Sequence, residues 1–199
     1  VLKRRLEHEP DLARVDVYTV DTTNELSELM EKLRYSHQIV LFDTSGSYSA
    51  VGDASLAYCR FGIYPFQNSI LDIDTAPATN DRIGEIKREH KPDFKAYAMT
   101  TRLSYHHTRG PRDKRDMIEK FKQFVHLPML NTTFSNRCIY TDSLNEYRSV
   151  LEYRESDAKK AGREVMKLIK ELLKLSAQLD AEDLAEEEAA QLATEEMEE

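Results

Sequence analysis

An α/β fold with a mainly parallel sheet flanked by helices is what this sequence predicts, and three features predict it. Short β-branched runs alternate with amphipathic segments from Arg14 onward, the rhythm of strands joined by crossover helices. The run Ile39-Val40-Leu41-Phe42 is continuously apolar, as in a central strand covered on both faces. From Asp157 the chain turns helical. With 199 residues, 40% of them hydrophobic, it has enough material for one core. We expect one unit over residues 1–176 and an acidic tail, helical or disordered, over 177–199.

Taken in order, Arg14 to Val20 alternates Val15, Val17 and Thr19 and predicts a strand. Thr22 and Glu25 have capping-box spacing, and Leu26, Leu29, Met30 and Leu33 share a helical face behind them. Gln38 to Thr44, QIVLFDT, predicts the central strand. Phe61 to Phe66 and Phe94 to Thr101 predict two more, with a mainly helical stretch from Ser69 to His90 between them. Met117, Phe121 and Phe124 predict a helix, followed by a short strand from Leu127 to Thr132. Val165, Leu168, Ile169 and Leu172 then form a stripe that could dock a long helix on the sheet. Residues Leu179 to Glu199 are dominated by Glu, Asp, Ala and Gln, which reads as a solvated surface, with a partner-binding role as the alternative.

Composition narrows the function classes. No apolar stretch approaches the roughly 20 residues of a membrane span, and the start VLKRRLEHEP lacks the apolar run of a signal peptide, so no membrane is expected. Cys59 and Cys138 form no CxxC pair, which points to buried thiols in a reducing, cytoplasmic setting. The adjacent His106 and His107 lack the spacing of ligands that face one metal ion. There is no G-x-S-x-G, and neither cysteine sits in a catalytic signature, so covalent mechanisms are disfavoured.

The most informative stretch is the strand that delivers Asp43 and then Gly46. In a nucleotide hydrolase an aspartate there can orient Mg²⁺ through its water shell, and a glycine lets its amide approach the terminal phosphate. An ordinary strand-to-turn transition is the competing reading, since Asp and Gly are turn formers. Residues Ser104 to Asp116 concentrate Arg109, Arg112, Lys114 and Arg115 in a chain of net charge -8. They read either as a phosphate-contacting patch or as a solvated loop around Gly110-Pro111.

Several ordered segments resemble the ParA family of DNA-partition ATPases. Asp43 and Gly46 match its Asp-Thr-x-Gly strand end, Pro65 and Ser69 its Pro-x-x-x-Ser segment, and Thr101-Arg102 the pair near the adenine. Arg137 in a turn, a Ser-Val-x-Glu-Tyr segment from Ser149 to Tyr153 and a final amphipathic helix follow the family's closing order, so the resemblance covers Arg14 to Leu173. It implies a P-loop NTPase-like fold, ATP and Mg²⁺ as cofactors, and Asp43 and Gly46 as catalytic residues with Asp43 holding Mg²⁺ through water. It also implies a nucleotide site at Thr101, Arg102 and Pro65, non-specific DNA at Arg109, Arg112, Lys114 and Arg115, an ATP-dependent homodimer and a ParB-like adaptor. One departure is plain: the sequence holds no G-x-x-x-x-G-K-S/T. That loop cradles the phosphates, so this chain is not expected to hydrolyse ATP alone. A missing beginning is the expected reason, the first residue being valine. The alternative is a non-catalytic interaction module on a degenerate scaffold.

Overall fold

The computed structural model describes residues 15–45, 49–67, 69–89, 93–103, 119, 122–123, 126–153 and 156–198. Helix α1 (Thr23–Ser36) starts on the expected capping box: the Glu25 amide donates to Thr22 Oγ1 at 3.2 Å, and the Thr22 amide donates to the Glu25 carboxylate at 3.3 Å. Both bonds satisfy amides that a helix start leaves without backbone partners. Leu26 and Leu33, seven residues apart and so on one face, are buried. The next helix, α2 (Ala50–Tyr58), is capped by Ser49, whose hydroxyl accepts from the Gly52 amide at 3.0 Å. Helices α1 and α2 lie against each other.

The centre is a βαβ unit of β1 (Phe61–Gln67), α3 (Ile70–Glu89) and β2 (Lys95–Thr101). The strands pair in parallel, from Phe61 opposite Lys95 to Gln67 opposite Thr101. Parallel neighbours cannot be joined by a tight turn, and α3 supplies the crossover. It turns Ala76 onto Phe66 and Ala98, and Ile83 and Ile86 onto Phe94 and Ala96, all of them buried. Gly62 makes room for this: a Cβ there would stand 2.8 Å from Phe94 Cζ. Asp53 on α2 pairs with Arg82 on α3, and Arg82 also donates to Glu85 at 2.6 Å, which ties the two helices together.

Residues 128–136 run beside β2 without forming a full strand. The Ala98 amide donates to the Pro128 carbonyl at 2.9 Å, the Leu130 amide to the Ala98 carbonyl at 2.8 Å, and the Phe134 amide to the Thr100 carbonyl at 3.1 Å. Between these contacts the Asn131 and Thr132 amides donate instead to the Glu171 carboxylate, at 2.6 and 2.8 Å. The strand expected over Leu127 to Thr132 is therefore reduced to the parallel bridge Ala98 to Met129, with a second bridge at Leu103 and Ser135.

Helix α4 (Cys138–Asn145) and helix α5 (Ala158–Glu198) enclose a second core of Ile139, Val150, Ala158 and Ala161. The Ser149 to Tyr153 segment between them is a capped turn, in which the Ser149 amide and hydroxyl both donate to Glu152 at 2.9 Å. Helix α5 runs unbroken through residues 176 and 177. There Leu179 is buried, Arg60 pairs with Asp180 at 3.0 Å and Asp183 at 2.9 Å, and Lys95 lies 3.6 Å from Glu182. The first turns of the acidic stretch thus lie against the amino ends of β1 and β2. Of the expected docking stripe, Val165, Leu168 and Leu172 are half-buried, but Ile169 is 38% exposed.

Two expected strands are corrected by the structure. Residues 15–20 and 38–45 have no strand or helix geometry, and Ile39 and Leu41 are 68% and 89% exposed. A strand needs a neighbour for its amides and carbonyls, and among the described residues the sheet consists of β1 and β2 only. Apolar alternation supplies the propensity and leaves the pairing to the rest of the fold. Met117, Phe121 and Phe124, which mark a further expected helix, lie outside the described residues, while residues 119, 122 and 123 among them are helical. Among the described residues the architecture is α/β, with a two-stranded parallel sheet and one long C-terminal helix.

Candidate functional site

Parallel strands present their carboxyl ends on one side, and in open α/β sheets that side is where ligands bind. Here the ends of β1 and β2 and the turn at 134–137 form that edge. As the chain leaves β1 for α3, the Asp72 amide donates to Ser69 Oγ at 3.1 Å, and the Asp72 carboxylate accepts from the Gln67 amide. Pro65 stands two residues before the strand's end, opposite Met99. It has no N–H to give, so it suits the side of β1 that faces no other strand among the described residues.

At the end of β2, Thr101 Oγ1 donates to the Phe66 carbonyl at 3.2 Å and so pins the two strand ends together. The next residue, Arg102, has φ 50°, the left-handed region that costs a non-glycine residue about 1 kcal/mol. The bend is held from both sides: the Leu103 amide donates to the Phe134 carbonyl at 3.0 Å, and the Asn136 amide to the Leu103 carbonyl at 2.8 Å. Just inside, Thr100 is fully buried and its hydroxyl has no hydrogen-bond partner among the described residues.

Behind this edge lies a polar cluster that sequence reading did not single out. The Glu164 carboxylate accepts from Arg137 Nη2 at 2.9 Å and Nε at 3.2 Å, from Ser135 Oγ at 2.8 Å and its amide at 3.1 Å, and from the Tyr140 hydroxyl at 2.9 Å. Burial pushes the carboxyl up, but the donors from Arg137, Ser135 and Tyr140 outweigh it and hold it below its ordinary value. Burial and the bond to Glu164 push the Tyr140 hydroxyl well up. Glu171, one face-repeat further along α5, does the same for Asn131 and Thr132, and its carboxyl is also lowered once their hydrogen bonds outweigh its burial. The signal was present: Glu164, Leu168, Glu171 and Leu175 share one face of α5, and carboxylates on an apolar face are acceptors waiting for buried donors. Between 131–135 and α5 a groove of about 560 Å³ is lined by Thr132, Ser135, Lys167, Lys170 and Lys174.

The structure brings Thr101, Arg102 and Pro65 to one edge. Asp43 is exposed on the irregular segment, and among the described residues it forms no hydrogen bond or ion pair with that edge. Gly46 lies outside the described residues, as do Arg109, Arg112, Lys114 and Arg115. A Mg²⁺-nucleotide needs clustered oxygen donors around its phosphates. Among the described residues no group of three His, Cys, Asp or Glu could hold a metal, and Asp43 offers a single carboxylate. Among the described residues, then, Thr101, Arg102 and Pro65 share an edge, and no cluster of metal-ligating side chains stands beside it.

Fold and site define an α/β protein with a parallel βαβ unit and a polar edge at its strand ends. No protein-family model matches the chain, and no curated protein matches it significantly. No helix among the described residues is long and apolar enough to cross a membrane.

Proposed function

We propose that this chain belongs to a ParA-like partition ATPase, a cytoplasmic switch that dimerises on ATP, holds DNA without sequence preference and answers to a ParB-like adaptor. The observation that carries the reading is the strained bend at Arg102, immediately after Thr101 at the carboxyl end of a parallel strand. Strain of this kind persists where the surrounding bonds over-determine it, and it concentrates at ligand sites. In this reading Thr101 and Arg102 flank the base, with Pro65 shaping the neighbouring strand end. Asp43 organises Mg²⁺ through water, and the Gly46 amide approaches the terminal phosphate. Arg109, Arg112, Lys114 and Arg115 contact DNA phosphates in a salt-sensitive way. Hydrolysis by these 199 residues alone is not proposed, because the Lys-bearing glycine loop is absent from the sequence.

A non-catalytic interaction module is the second reading, favoured by the 41 residues of α5. Nucleotide binding separates the two. Titration of a fluorescent ATP analogue with Mg²⁺ should give saturable binding that weakens in Arg102→Ala and in Asp43→Ala, and binding should be enhanced by duplex DNA. Absence of nucleotide binding in the protein and in both variants leaves the interaction module in front.

A further inference from the structure

Helix α5 carries two features that the nucleotide reading does not use. The first is its charge pattern. Residues 158–176 hold six Lys and Arg against Glu164 and Glu171, and both of those carboxylates are occupied by the 131–137 segment. Residues 177–199 hold ten Asp and Glu and no cation. The second is an outward apolar stripe. Met166, Ile169, Leu173 and Leu184 are 41%, 38%, 57% and 59% exposed, and with the exposed Ala177 and Ala181 they follow the helical repeat along one face. The stripe continues toward the start of α5 into a groove of about 570 Å³ lined by Leu151, Gly162 and Met166, with Lys159 and Arg163 at its rim.

We propose that this face of α5 binds α5 of a second copy of the chain, antiparallel, to give a two-fold dimer that needs no nucleotide. Self-association through one patch requires the patch to complement itself under a two-fold axis. An axis beside Leu175 does this: it sets Met166 opposite Leu184 of the second copy, Ile169 opposite Ala181, and Leu173 opposite Ala177. Large residues face small ones across the middle of the contact, which closes the helices without voids. The same register carries the basic half of each helix along the acidic half of the other and brings Arg163 to Glu188. A parallel pair would stack acid on acid, which costs energy at every turn. Asp180, Glu182 and Asp183 remain with Arg60 and Lys95 of their own chain, so the dimer gives up no contact already made. The contact spans about 28 Å of helix from Met166 to Leu184 at 1.5 Å per residue. It is independent of the ATP-dependent dimer proposed above, and each can fail without the other.

Sedimentation of the nucleotide-free protein across a concentration series, at low and at high salt, reads the dimer directly. We expect a reversible dimer that weakens with salt, at least tenfold weaker in Met166→Glu and in Arg163→Glu, and restored in the doubly reversed Arg163→Glu, Glu188→Arg. Disulfide trapping reads the direction, with Cys59 and Cys138 first replaced by serine. A mixture of Met166→Cys and Leu184→Cys chains should give the mixed crosslink and leave Met166→Cys alone uncrosslinked. A monomer at all concentrations, a crosslink between two Met166→Cys chains, or a dimer indifferent to Met166→Glu would overturn the proposal. Circular dichroism of each variant separates a lost interface from a lost helix.

Discussion

Arg137 Nη2 stands 2.9 Å from the Glu164 carboxylate and so locks the turn before α4 to the second turn of α5. The carboxylate carries five hydrogen bonds from three residues, so it is the organising acceptor of this corner.

Glu164→Gln should destabilise the fold by roughly 2 kcal/mol, because it leaves a partly buried guanidinium without its counter-charge. Urea unfolding followed by circular dichroism measures this. A loss no larger than that of an exposed control such as Glu186→Gln would show that the cluster is not structural.

Stability should fall with acid through the same group. Glu164 and Glu171 both have carboxyls held below their ordinary value in the folded state. Such groups contribute stability that is present above the unfolded-state value and is lost as the pH falls through the folded-state value. Melting temperature should therefore decline below the ordinary carboxylate range, and the decline should be shallower in Glu164→Gln. Equal slopes in both proteins would reject the assignment.

Gly62→Ala should cost about 1 to 3 kcal/mol, since its Cβ would meet Phe94 at 2.8 Å in a core that cannot expand freely. Phe94→Leu, itself destabilising, should reduce that additional cost. Additive losses in the double variant would place the strain elsewhere.

Arg102→Gly separates strain from function. Glycine adopts the left-handed region without penalty, so the variant should gain up to about 1 kcal/mol in stability. Under the nucleotide reading it should at the same time lose affinity for ATP. A variant that is more stable and binds equally well would make the bend a structural accident.

Much of the architecture was legible locally. The capping box at Thr22 and Glu25, the two strands around a helical crossover and the start of α5 near Asp157 follow from short-range rules, because caps, periodicity and turn residues act within a few positions. The candidate site was legible only in part. Thr101, Arg102 and Pro65 do share an edge, whereas the positive φ at Arg102 has no signature in an arginine side chain.

Tertiary structure decided what depends on partners far away in the chain. QIVLFDT has every local mark of a central strand, yet it stays irregular because a strand is made by the neighbour that takes its hydrogen bonds. The stretch at Asn131 and Thr132 is diverted from β2 by a carboxylate 40 residues on. Glu164 and Glu171 could be recognised as misplaced on an apolar face, but only the folded chain assigns their donors. By itself, then, this sequence determined its helices, its crossover and its charge pattern, which are properties of nearby residues. Which strands pair and which buried charges are satisfied were decided by long-range contacts, whose energy exists only once the chain has closed on itself.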